Sequence, residues 1–271
     1  ENFTEQPKAD CIYITSVKAD INILAEIISN KKLGKIKNNI RAIHLSNLKT
    51  PSQIDHYINK TVKHAKIVVL RIYGDRGTWS YGIEKLQQWV DSEDKKHLLI
   101  LSGTEDQDTS LNELSNIELI ISNKIAKLLR EGGKENYLRF LHCLDFILDN
   151  ESNIPSKYLN CKIYPDPYFY DWRDEKGTKI GIISYKSLFL ANETKLTDQL
   201  NKHLRKNGFS PKTIFVSSLK NINIHREIQN IVKKEGIRII VTTTSFDSTI
   251  NRNHDDKKES QNLFEKIKLP V

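Results

Sequence analysis

Short β-branched runs alternate with amphipathic stretches along almost the whole of this 271-residue chain, and nothing else in the sequence restricts the fold as much. Such alternation is the mark of α/β architecture with a mainly parallel sheet, because parallel neighbours need a crossover helix between them. Residues 11–15 (Cys-Ile-Tyr-Ile-Thr) read as a first strand, and Ile21, Leu24, Ile27 and Ile28 then fall on one face of a helix. Residues 42–45 read as a second strand, followed by Pro51 at the start of a helix carrying Ile54, Ile58 and Val62. The near-continuous apolar run 66–72 fits a strand covered on both faces. After Gly74 comes a helix with Ile83, Leu86 and Val90, then a strand at 97–101 ending in Ser102-Gly103. Two helices follow, 117–130 and 135–148, separated by the stop signal Gly132-Gly133.

The alternation pauses over residues 151–178, which hold Pro155, Pro165 and Pro167 and the aromatic cluster Tyr164, Tyr168, Phe169, Tyr170 and Trp172. It restarts with strands at 179–185, 213–217 and 238–243, and with helices at 195–206 and 222–234 between them. The expected organisation is therefore an α/β domain over 1–150, a Pro/aromatic linker over 151–178, and a second α/β domain over 179–271. Both are expected to be doubly wound parallel-sheet domains of flavodoxin-like or Rossmann-like type, the second incomplete at its C-terminal end. The chain starts at Glu1 and has no methionine, so it is expected to be a fragment.

Composition narrows the function classes. No apolar run has the length of a membrane span, and the first residues lack the basic start and apolar middle of a signal peptide, which predicts a cytoplasmic protein without membrane association. The three cysteines, Cys11, Cys143 and Cys161, form no C-x-x-C pair, and the first two sit in apolar segments as buried thiols would. The net charge of +8 lies almost wholly in the second half: residues 151–271 hold 21 basic against 14 acidic side chains, residues 1–150 hold 21 against 20. These cations are dispersed among acids without an arginine-rich stripe, so nucleic acid is not an expected partner.

Familiar catalytic signatures are missing. The chain has no G-x-x-x-x-G-K-[ST] loop, no G-x-G-x-x-G after its first strand, no G-x-S-x-G elbow and no H-E-x-x-H, and its eight histidines show no paired-ligand spacing. No catalytic residue and no metal ligand is assigned. In open α/β sheets ligands bind beyond the carboxyl ends of the strands. That rule nominates Ser46-Asn47, the loops 74–79 (Gly-Asp-Arg-Gly-Thr-Trp) and 102–106, then Tyr185-Lys186, residues 217–220 (Ser-Ser-Leu-Lys) and 242–245 (Thr-Thr-Thr-Ser). Their hydroxyls and N–H groups suit carboxylate, amide or phosphate oxygens, although serine and threonine in such places also cap helices. Ser217, Ser218, Lys220, Thr244 and Ser245 are the candidate binding residues from this rule.

Several stretches together resemble the large-subunit family of cobaltochelatase. Residues 67–74 (Ile-Val-Val-Leu-Arg-Ile-Tyr-Gly) followed by 79–86 (Trp-Ser-Tyr-Gly-Ile-Glu-Lys-Leu) are similar to that family's strand, glycine loop and W-x-Y-G-x-E-x-L helix start. Residues 99–105 resemble its L-x-L-x-G-x-x turn, and 129–136 (Leu-Arg-Glu-Gly-Gly-Lys-Glu-Asn) its E-G-G-x-x-N helix junction. Residues 180–185 and 215–220 resemble two further strand-plus-loop motifs. The matches keep the family's order and span nearly the whole chain. The magnesium chelatase large subunit, acting on protoporphyrin IX, is a relative and the alternative. A non-catalytic scaffold or interaction module is another, and a stand-alone flavodoxin-like binder of a small anion a further one.

The resemblance implies a large subunit that binds a corrinoid and takes part in ATP-dependent insertion of Co2+ into hydrogenobyrinic acid a,c-diamide. Its implied partners are the remainder of the large subunit and separate AAA+ ATPase subunits. Cobalt and ATP would be used by the whole complex, with no cofactor held by this fragment. Arg76 and Lys186 are then candidates to pair with the acidic arms of the corrin, and Trp79 and Tyr185 to lie against its ring. For Trp79 and Tyr81 packing between helix and sheet is an equal alternative.

Overall fold

The structure is a computed structural model, and it describes residues 2–30, 36–104, 110–149, 153–243, 249–252 and 259–271. The chain divides into two compact units, Glu1–Lys162 and Ile163–Val271.

The first unit holds β1 (Cys11–Thr15), α1 (Lys18–Ser29), β2 (Ile40–His44), α2 (Pro51–Lys60), β3 (Ile67–Ile72), α3 (Ser80–Asp91), β4 (His97–Ser102), α4 (Leu119–Glu131), α5 (Lys134–Leu148) and α6 (Ser156–Leu159). Its four strands are all parallel, in the order β2-β1-β3-β4. Alternate residues of each strand serve opposite faces. Ile12, Ile14, Val68, Leu70 and Ile100 pack with Ile54 and Tyr57 of α2 and Ile83, Leu86 and Trp89 of α3. Cys11, Tyr13, Val69 and Leu99 pack on the other side with Ile23 and Leu24 of α1, Ile125 of α4 and Phe140 of α5. Both faces are thus covered, which is why the strands are mostly apolar. Cys11 and Cys143 are fully buried, and burial pushes the Cys143 thiol up to about 12.

Local chemistry fixes where helices begin and end. Thr50 and Gln53 form a reciprocal capping box at α2, with Pro51 in the first turn. The Gly132-Gly133 pair has φ of +65° and +80°, a backbone that side chains resist, and it turns the chain between α4 and α5. The buried Asn136 amide then donates to the Gly132 carbonyl (2.7 Å) and to the Lys162 carbonyl (2.8 Å), while its oxygen accepts the Lys162 N–H (2.7 Å). The E-G-G-x-x-N junction is therefore a structural knot.

The second unit holds β5 (Tyr168–Tyr170), β6 (Thr178–Tyr185), α7 (Lys186–Leu190), α8 (Lys195–Lys206), β7 (Phe209–Val216), α9 (Ile222–Glu235), β8 (Ile239–Thr242), β9 (Thr249–Arg252), β10 (Glu259–Asn262) and α10 (Leu263–Ile267). The main sheet has the order β5-β7-β6-β8; β6 is parallel to β7 and to β8, while β5 is antiparallel to β7. β9 and β10 form a separate antiparallel pair. Ile183, Ile214 and Val216 pack under Ile224, Ile228 and Val232 of α9, with Leu263 of α10.

Two details depart from the sequence expectation. The stretch 151–178, expected as linker, is shared out: α6 belongs to the first unit, and β5 pairs with β7 in the second. β7 also starts at Phe209, four residues earlier than the pattern suggested, and includes Pro211. β5 spans only Thr213–Phe215 of its partner, so at Pro211 β7 has β6 alone as neighbour and the missing N–H breaks no ladder between two partners. Among the described residues no helix is long and apolar enough to cross a membrane.

Candidate functional site

In the first unit the strand order reverses direction between β1 and β3, so the crevice beyond their carboxyl ends is where this architecture binds ligands. The protein itself fills that crevice with hydrogen bonds. Ser16 N–H donates to the Arg71 carbonyl (3.0 Å), Val17 N–H to Thr15 Oγ1 (2.9 Å) and Tyr73 N–H to Ser16 Oγ (2.7 Å). Three N–H groups that could cradle a phosphate are spent internally.

Beneath the crevice lies a buried ionic cluster that the strand-end rule did not nominate. Arg71 Nη1 donates to Asp20 Oδ1 (2.7 Å) and to the Tyr137 hydroxyl (3.0 Å). Tyr13 and Thr15 donate to Asp20 Oδ2, each at 2.8 Å, and the Tyr137 hydroxyl donates to Asp20 Oδ1. Asp20 is fully buried and Arg71 is 5% exposed. Burial works against the Arg71 charge, but the neighbouring Asp20 carboxylate more than offsets it and raises its pKa. Burial, reinforced by Asp20, pushes both tyrosine hydroxyls well up, so they remain donors. The sequence did carry a signal: Arg71 interrupts an apolar strand, and Asp20 stands on the same helical stripe as Ile23, Leu24 and Ile27.

The loop after β3 carries Arg76 and Trp79. Gly74 opens it at φ +92°, and a Cβ there would collide with the Thr78 side chain. Asp75 Oδ1 accepts the Gly77 N–H (2.8 Å), which sets up the short turn Arg76–Trp79. Arg76 is exposed at the carboxyl edge. Trp79 is buried: its Nε1 donates to the Leu48 carbonyl (3.0 Å), and its ring lies on Gly82, where a Cβ would collide with it. Tyr81 donates to the Asp55 carboxylate (2.8 Å). These two aromatics pack between elements of the first unit.

In the second unit the sheet gathers five of the nominated residues at one edge. Tyr185 pairs in register with Val216, so Tyr185-Lys186 and Ser217 leave adjacent strand ends side by side, with Ser218 and Lys220 following. Lys186 Nζ donates to the Tyr164 carbonyl (2.8 Å). Ser217 donates its N–H to Asp166 Oδ1 (3.2 Å) and its hydroxyl to Asp166 Oδ2. Ser218 Oγ accepts the Lys220 N–H (3.1 Å), and His225 Nε2 bonds the Leu219 carbonyl, which pins this loop to α9. At the neighbouring strand end Thr243 Oγ1 donates to Ser184 Oγ (2.9 Å). Thr244 and Ser245 lie outside the described residues. Tyr164 and Asp166 are the members of this edge that sequence reasoning missed; they arrive because β5 runs back along β7.

A concavity of about 640 Å³ in the second unit lies beside β5 and α8. Its charges are mostly paired with one another. Arg205 bonds Asp171 (2.6 Å) and Glu175 (3.0 Å), and Tyr170 donates to Asp198 (2.8 Å). Burial opposes the charge on Asp171, yet Arg205 and Arg173 hold its carboxyl below the usual range. Among the described residues no group of three His, Cys, Asp or Glu side chains is arranged to hold a metal ion.

The chain is similar to known proteins over most of its length. It is 24% identical over 252 residues to the aerobic cobaltochelatase subunit CobN of Pseudomonas aeruginosa and 23% identical over 258 residues to that of a Sinorhizobium species. Each match covers 89% of this chain and 20% of the relative, so the chain spans about one fifth of these proteins' length. Its fold matches the catalytic subunit of cobaltochelatase from Mycobacterium tuberculosis with a TM-score of 0.64 at 18% identity, over 88% of this chain and 18% of that one. Residues 126–271, more than half of the chain, match the family described as CobN/Magnesium Chelatase. With that match and the shared α/β fold, the chain belongs to the CobN/magnesium chelatase family.

Proposed function

We propose that this chain is part of the large, tetrapyrrole-binding subunit of an ATP-dependent cobaltochelatase that inserts Co2+ into hydrogenobyrinic acid a,c-diamide. The observation that carries the reading is the similarity to two aerobic cobaltochelatase subunits across 89% of the chain. ATP hydrolysis falls to separate AAA+ subunits in the cytoplasm, and the remainder of the large subunit supplies the insertion centre. The carboxyl edge of the second unit supports a part in substrate binding: Lys186, Ser217, Ser218 and Lys220 concentrate N–H, O–H and ammonium donors of the kind that corrin carboxylate and amide arms accept. Arg76 is the corresponding donor in the first unit. A scaffold role is the second reading, and a specific observation favours it: Lys186 and Ser217 already bond Tyr164 and Asp166.

The test is a fluorescence titration of the chain with hydrogenobyrinic acid a,c-diamide and, separately, with protoporphyrin IX. Saturable quenching by the corrinoid, weakened about tenfold or more in Lys186→Ala through loss of one charge-assisted contact, is the expected result. Preference for the porphyrin moves the chain to the magnesium branch. Binding of neither leaves the scaffold role.

A further inference from the structure

The first sheet has a second concave edge, at the amino ends of β3 and β4 and opposite the loops described above. Because these strands are parallel neighbours, the segments leading into them run side by side, and His97 N–H donates to the Lys66 carbonyl (2.9 Å). Between them and Leu148 at the end of α5 opens a cavity of about 360 Å³, at the small end of the range for ligand pockets. Its rim is rich in cations. Two of them are neutralised within the protein: Lys66 bonds Asp10 (2.9 Å), and Lys96 bonds Glu93 (3.1 Å). Lys96 is 8% exposed, and its ammonium also sits 5.2 Å above the Trp89 ring. That leaves Lys63 and Lys95 facing one further acid, Asp94, and the imidazoles of His64 and His97 beside them. Lys8 adds to this field: slight desolvation of the exposed His64 ring, then Lys8 and Lys63, lower its pKa, and burial lowers that of His97. Both rings are thus neutral N–H donors near pH 7.

Helices α2 and α3 end at this edge, and cations near a helix C-terminus answer its exposed carbonyls. That accounts for lysines close to the helix ends. It does not account for a concavity walled by two strand-entry segments and lined by Lys63, Lys95, His64 and His97.

We propose that this amino-edge pocket binds a small multivalent oxyanion of the phosphate or polycarboxylate class, held by Lys63 and Lys95 with His64 and His97 donating to it. The proposal does not rest on the corrinoid reading, since the pocket is too small for a macrocycle and uses none of the residues assigned to corrin binding.

The test follows the histidine ring protons of the whole chain by NMR while inorganic pyrophosphate or citrate is added at a fixed ionic strength of about 0.15 M. The peaks are assigned from His64→Gln and His97→Gln. The expected result is saturable shifts of His64 and His97 at millimolar anion, with both rings titrating at higher pH when the anion is bound. The Lys63→Ala/Lys95→Ala variant should bind about tenfold or more weakly, and Lys63→Arg/Lys95→Arg should retain binding. Response to pyrophosphate alone assigns the phosphate class, and response to citrate alone the polycarboxylate class. Absence of saturable shifts with either probe overturns the proposal. So does a double alanine variant that loses thermal stability while binding the anion unchanged, because the lysines then serve only the helix ends.

Discussion

Asp20 accepts from four groups at once, and this concentration gives one carboxylate unusual weight in the first unit. Its two oxygens have capacity for four donors, and Tyr13, Thr15, Tyr137 and Arg71 use it fully. Removing one member of a buried ion pair leaves the other charge without compensation, a cost of about 3–5 kcal/mol. Asp20→Ala should therefore lower the urea midpoint by that equivalent. Asp20→Leu combined with Arg71→Met should cost less than either single change, because no charge is then left in the core. A double variant as unstable as Asp20→Ala alone would show that the cluster acts by shape and not by charge. The pair was legible in the sequence as two opposite charges inside apolar patterns. Their partnership was not, because Asp20 and Arg71 lie 51 residues apart and only the β1–β3 pairing aligns them.

Among the elements, the helix start at α3 shows how Trp79 and Gly82 depend on each other. In W-x-Y-G the tryptophan lies on the glycine, and the indole N–H is held by Leu48. Gly82→Ala sets two effects against each other. Alanine is the better helix former by about 1 kcal/mol, yet its methyl would collide with a ring that the Leu48 bond holds in place. Steric conflict should win, with a net loss of about 1–3 kcal/mol in a thermal or urea melt. Trp79→Leu should rescue much of the Gly82→Ala defect by vacating the space. Gly103 behaves similarly, its N–H bonded to the Ile72 carbonyl at 2.6 Å, and a Cβ there would come within 3.0 Å of the Ile72 backbone. These motifs, with the Asn136 knot, are packing devices, so motif resemblance located the fold more directly than it located a site. The long alternating elements were readable from periodicity. β5 was not, because three residues preceded by prolines carry too little pattern, and Pro211 argued locally against the strand that contains it.

At the scale of the whole molecule, two separately cored units predict separable folding. The first sheet is covered on both faces by its own helices, so residues 1–162 alone should give one cooperative unfolding transition and an ordered near-ultraviolet dichroism signal. A noncooperative melt of that fragment would mean its core depends on residues beyond Lys162. The strand-end rule brought Tyr185, Lys186, Ser217, Ser218 and Lys220 to one edge because it needs only element order, which the sequence displays. Tyr164 and Asp166 escaped it, since their place depends on the antiparallel return of β5. That same strand has a consequence for colloidal behaviour. β5 ends the second sheet, and a free sheet edge is a template for joining another chain. Pro167, which offers no N–H, stands immediately before it, and Asp171, at φ +54°, bends the backbone away immediately after. A second molecule arriving there finds three residues to zip onto before the ladder stops. The exposed ladder of this aromatic border is thereby kept short.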